Sequence, residues 1–245
     1  MKKIVTCLLA TMLIVACGPK AKKQASAPWL QNGAFKTNLS KEDAQKGYDK
    51  LLKGKKSRGS AFRSGEVATA DVKLLGFIAG ANFSEFSIAL ILQNKDLLEE
   101  SSKGLLALAE RVGPVGDYDW RQDFVALVQA LNSGAVTREE GAAKITNIGM
   151  KLIQASATQN LDFAAQAAAG YRFFETGILL GSGRSAPHYT ELLQQYLAAY
   201  QNSLSNETIA DLQKVDVMQQ NAANDNDRNA AGNLLLNTIA KLNLA

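Results

Sequence analysis

The stretch Leu74–Leu92 runs nineteen residues with a single charge, Glu85. Nothing else in the chain limits its fold as strongly. A segment this apolar has to be hidden from water. As a helix it is also long enough to cross the hydrocarbon core of a bilayer. Two surroundings would satisfy it, a membrane or a protein interior. Gly76 and Gly80 form a small-xxx-small step that suits close helix packing in either. Asn82, Ser84, Glu85 and Ser87 sit near the centre of the run. A central acid costs roughly 2.5–3.5 kcal/mol on membrane-insertion scales. The expectation is therefore a helix enclosed by protein on most sides.

The rest of the chain is patterned for helices too. Ser40-Lys41-Glu42-Asp43 has the spacing of a capping box with Asp in place of Glu, and predicts a short helix ending near Gly54. Gly54–Gly65 reads as a basic loop, and the apolar helix is expected from Glu66 to about Gln93. Further helices are expected over 96–112, 117–131 and from Thr137, where Thr137-Arg138-Glu139-Glu140 is a second capping box. Others follow over 160–180, 188–204, 205–218 and 234–244, with 221–229 as a polar turn. No stretch alternates with period two, and proline is scarce. These signals predict an all-α fold, a bundle of seven or eight mostly antiparallel helices.

One internal similarity stands out. Ala79–Leu90 is AGANFSEFSIAL and Ala169–Leu180 is AGYRFFETGILL, ninety residues later. Phe83 aligns with Phe173, Glu85 with Glu175 and Ile88 with Ile178. Two pseudo-symmetric halves would produce such a match, although an alanine- and leucine-rich chain can also produce it by chance. Small residues at Gly76, Gly80 and Ser84, and at Ala169, Gly177 and Gly181, would let helix axes approach closely.

The two aligned acids are the candidate chemistry. Glu85 has no basic residue within four positions, whereas Arg172 lies three before Glu175. A buried carboxylate needs a partner. Asn82, Glu85, Arg172 and Glu175 are therefore expected to form a buried polar network or a ligand site, with Arg172 reaching Glu85. A di-iron bundle would need Glu-x-x-His motifs, and the chain has one histidine, His188. No metal site and no cofactor are expected. Gly-x-Ser-x-Gly, phosphate-loop and His-Glu-x-x-His motifs are absent from the sequence. Gly181–Ser185 could cradle an anion, but reads more simply as a turn.

The N-terminus carries an address. Met1-Lys2-Lys3 precedes twelve apolar-rich residues, Ile4–Val15, which is a secretory leader pattern. It ends in Ile14-Val15-Ala16-Cys17. This resembles the lipobox of bacterial lipoproteins. The resemblance covers only the leader. It implies cleavage of residues 1–16 and lipidation of Cys17, with membrane lipid as the first partner. Each buried acyl CH₂ contributes about 0.8 kcal/mol, so two or three chains anchor firmly where one would not. Gly18 after the cysteine, by similarity to enterobacterial sorting, implies the outer membrane.

The only other cysteine, Cys7, lies inside the leader, so the body from Cys17 onward has no disulfide. In an oxidising compartment it must rely on its core. Residues 18–64 carry twelve Lys/Arg against three acids, a balance of +9, and residues 65–245 carry thirteen against twenty, a balance of −7. Basic charge is thus concentrated beside the lipid, where Lys20, Lys22 and Lys23 would either meet an anionic surface or keep a tether extended. Residues 17–39 are read as that tether, with Trp29, Leu30 and Phe35 as apolar exceptions that would pack onto the body or dip into the membrane interface, and 40–245 as one helical domain. No nucleic-acid reading module is evident. The functional expectation is a lipid-anchored envelope protein that scaffolds or binds an envelope partner without catalysis. A helical carrier for a small apolar ligand is the alternative, and an enzyme using Glu85 and Glu175 the third.

Overall fold

The computed structural model describes residues 35–53, 74–159 and 161–242. The leader, Cys17, Lys20, Lys22, Lys23 and the predicted loop 54–65 lie outside the described residues, as does the predicted start of the apolar helix at Glu66. Among the described residues there are nine α-helices and no strand. They are α1 (Lys41–Leu51), α2 (Leu75–Leu92), α3 (Lys95–Val112), α4 (Trp120–Ser133), α5 (Arg138–Gln159), α6 (Leu161–Gly181), α7 (Tyr189–Tyr200), α8 (Asn206–Gln220) and α9 (Asp225–Lys241). The all-α fold is as expected, and the nine helices fall on the nine segments with helical signals.

Local chemistry sets the boundaries. The Ser40 hydroxyl accepts the Asp43 backbone N–H and opens α1. Thr137 and Glu140 exchange both capping hydrogen bonds at the start of α5. α4 starts at Trp120, three residues later than expected, because Val115 and Tyr118 pair across a tight turn and Asp119 caps the helix. The segment 221–229 is not the turn that was expected. Asn224 and Asp227 form a reciprocal capping box, and α9 begins at Asp225. Two acids in its first turn favour the positive end of the helix dipole.

α2 is the centre of the molecule. Every residue from Leu75 to Leu90 is buried. It is the one helix among the described residues long and apolar enough to cross a membrane, and 89% of it is buried inside the body. Protein side chains thus supply the apolar surroundings it requires. Its main neighbour is α6. Gly76 lies on the Phe163 carbonyl and Gly80 on the Ala167 carbonyl, so the two helices run parallel. A Cβ on Gly80 would fall 1.7 Å from the Ala167 oxygen, and one on Gly170 would fall 2.0 Å from the Phe77 oxygen. Only glycine permits backbones this close. A shift of ninety residues turns the contact Gly80–Ala167 into Gly170–Phe77, so each aligned glycine packs on the equivalent residue of the other helix. The other expected ridge faces elsewhere: Gly177 meets Leu236 of α9, and Gly181 meets Leu51 of α1.

The same twofold relation extends to the neighbours. α2 packs on α3, α3 on α4, α4 on α5, and α5 back on α2. Likewise α6 packs on α7, α7 on α8, α8 on α9, and α9 back on α6. Two four-helix cycles are joined along α2 and α6, the arrangement that two related halves would adopt. α1 breaks the symmetry by packing mainly on α6.

The packed body also includes residues that the sequence assigns to the tether. Phe35 is 1% exposed. Its ring meets Phe83 and Tyr171 edge-on and lies over Gly149 of α5. Such pairs add about 0.5–1.5 kcal/mol beyond area burial. The core therefore extends at least five residues ahead of Ser40.

Candidate functional site

Of the four residues expected to form one network, two meet. The Arg172 guanidinium pairs with Glu175 at 2.6 Å, one turn away on α6. It also donates to the Lys36 carbonyl at 3.2 Å. Glu175 accepts from the Thr37 hydroxyl at 2.7 Å and from the Asn38 backbone N–H. This carboxylate is satisfied from three sides. Its geometry is that of a staple, holding residues 36–38 against α6 beside the buried Phe35.

Glu85 does not meet Arg172, contrary to expectation. Glu85 is fully buried, and neither carboxylate oxygen has a hydrogen-bond partner among the described residues. Asn82, one turn before it, is equally buried, and both of its amide atoms also lack partners there. Burial pushes the Glu85 carboxyl well above its ordinary value of 4.5, and the negative charge of Glu100 on α3 adds to this. Burial thus favours its neutral form. The twofold relation explains the failed pairing. Residues equivalent about such an axis face opposite sides of the central helix pair, Glu175 toward the 36–38 segment and Glu85 toward α3. The ninety-residue shift also aligns Asn82 with Arg172. The second half has the cation that the first half lacks.

These positions offer no open chemistry. Glu85 is 0% and Glu175 7% exposed, so neither carboxylate opens widely to solvent. Among the described residues no cluster of His, Cys, Asp or Glu could hold a metal ion. Nor is Gly181–Ser185 arranged for an anion, because Gly183 abuts the Asp225 carboxylate. His188 lies exposed at the start of α7 and makes no side-chain cap. The carrier reading expects an enclosed space between α2 and α6, but backbone contact fills that crossing.

The open site lies elsewhere. A groove of about 780 Å³ runs between α3, the end of α4 and the start of α5. Leu98, Leu106, Val128 and Leu131 form its apolar walls, each only partly buried. Lys95, Lys103 and Arg138 stand along its rim. Lys103 is paired with Glu99. Lys95 and Arg138 have no ion-pair partner among the described residues.

Sequence reasoning passed over this groove. Its signal is the width of the apolar face on α3. Leu97, Leu105 and Leu108 are buried against the core. Leu98, Ser102 and Leu106 form a second ridge at four-residue spacing, with Lys95, Glu99 and Lys103 in the ridge beside it. Helices that only cover a core seldom need two apolar ridges. Compared with protein-family models, curated proteins and solved structures, the chain matches none.

Proposed function

We propose that this chain is a lipid-anchored bacterial envelope protein whose helical body works by binding rather than by catalysis. The observation that carries the anchor is the sequence Ile14-Val15-Ala16-Cys17 after a basic and apolar leader. Acylation at Cys17 would fix the chain to a membrane, the outer membrane on the strength of Gly18. Lys20, Lys22 and Lys23 would then lie at the bilayer surface, where each contributes up to about 1 kcal/mol against anionic lipid. Residues 35–38, stapled to α6 by Glu175 and Arg172, would confine the tether to residues 18–34. The binding reading draws support from the open groove on α3 and α4, and from the closed surroundings of Glu85 and Glu175.

The test is metabolic labelling with a clickable long-chain fatty acid, followed by membrane fractionation, of the native chain and Cys17→Ala. Label and membrane retention in the native chain, with both lost in the variant, are expected. An unlabelled chain, or a variant that keeps its label, sinks the anchor. Crosslinking from the native envelope then identifies the partner.

A further inference from the structure

We propose that the groove between α3, α4 and α5 binds a long-chain carboxylate, with its acid group at the Lys95 and Arg138 end and its hydrocarbon chain along Leu98, Leu106 and Val128. The proposal rests on reading the body as a binding module, and names what it binds.

The polarity of the groove carries the argument. α3 and α4 are joined by a short turn and pack on one another, so α4 ends where α3 begins. The start of α5 follows after four residues. Lys95, the first residue of α3, and Arg138, the first of α5, therefore share one end of the groove. Both are cations without an ion-pair partner among the described residues. Farther along, Lys103 is neutralised by Glu99, and Leu98, Leu106, Val128 and Leu131 share the walls with Ser102, Asn132 and Thr137. The site thus carries unpaired positive charge at one end and a leucine and valine strip flanked by uncharged polar groups along its length, complementary to an anionic amphiphile more than to an uncharged one.

Size agrees. Lys95 to Leu106 spans about 16 Å along the helix at about 1.5 Å per residue. One leaflet of a bilayer, half of the roughly 30 Å hydrocarbon core, has acyl chains of about that reach. The groove volume of about 780 Å³ falls in the range of roughly 300–1,000 Å³ usual for small-molecule sites. A protein at a membrane surface, as proposed here, would meet such ligands at high local concentration.

The experiment uses the full chain reconstituted in phosphatidylcholine vesicles, with a sixteen-carbon carboxylate bearing a photoreactive diazirine in its chain. After irradiation, labelled peptides are mapped by mass spectrometry. Label concentrated on 98–106 and 128–136, displaced by excess palmitate but not by hexadecanol, is expected. The double variant Lys95→Glu/Arg138→Glu should lower groove labelling about tenfold, the loss of two partly exposed charge contacts. Val128→Trp, which fills the groove without touching the cations, should abolish it while thermal unfolding stays unchanged. Labelling spread evenly over the chain, labelling indifferent to both variants, or equal displacement by hexadecanol overturns the proposal. Failure of the anchor appears instead in the fractionation of Cys17→Ala, so the two failures are distinguishable.

Discussion

At the scale of single residues, Glu85 and Glu175 show how the same residue type in the same local sequence acquires opposite roles. Glu175 is charged, paired and structural: Arg172, Thr37 and Asn38 occupy its oxygens. Glu85 has none of these, and burial favours its neutral form. Because its folded pKa lies above the unfolded value, the folded state holds this proton more tightly. Its favourable contribution is complete below about pH 4.5 and is lost as pH rises toward the folded pKa, at about 1.4 kcal/mol per pH unit for one proton. Glu85→Gln keeps the shape and removes the titration. The variant should match the native chain at low pH and exceed it in urea midpoint at pH 7 and above. Equal midpoints across pH 4 to 8 would mean that Glu85 is not a buried neutral acid. Sequence alone made the burial of Glu85 legible, since one acid in nineteen residues leaves little choice. Its partner was not legible, because the sense in which α2 and α6 face each other is not written in either helix.

Elements behave as their caps and small residues dictate. Ser40, Thr137 and Asn224 each open a helix through side-chain acceptors. The first two were readable as capping boxes. Asn224 was missed because its run of Asn and Asp also resembles a turn, and only the reciprocal bond with Asp227 separates the two readings. The contact of α2 with α6 depends on glycines where backbones touch. Gly80→Ala drives a methyl group into the Ala167 carbonyl and should destabilise the protein by more than the ~1–3 kcal/mol typical of overpacking. Gly141→Ala, where a Cβ would meet only the flexible ends of Leu131 and Leu90, is the control. Chemical denaturation that ranks Gly80→Ala no worse than Gly141→Ala would contradict this packing.

On the scale of the whole molecule, two four-helix cycles share one interface, and each supplies the apolar cover for the other's central helix. α2 is buried on all sides only because α6 lies along it. A fragment of residues 74–159 would expose the α6-facing side of α2, including Gly76, Phe77 and Gly80. It is expected to remain molten or to associate, with helical circular dichroism but no cooperative thermal unfolding. A cooperative, monomeric fragment would show that the halves are independent domains. The full chain should unfold in a single transition by both near- and far-ultraviolet circular dichroism.

Sequence by itself determined the helical class, most helix starts and the buried central helix, because caps and periodicity act over a few residues. It also placed an Ala-Gly-x-x-Phe-x-Glu motif in both central helices. Tertiary structure alone decided that these helices run parallel with glycine against backbone, that Arg172 serves Glu175 and not Glu85, and that Phe35 packs on the body and not at a membrane interface. It alone revealed the open groove of α3, α4 and α5. Those outcomes depend on which helix faces are turned toward one another, which is set by the packing of the whole chain and not by any segment of it.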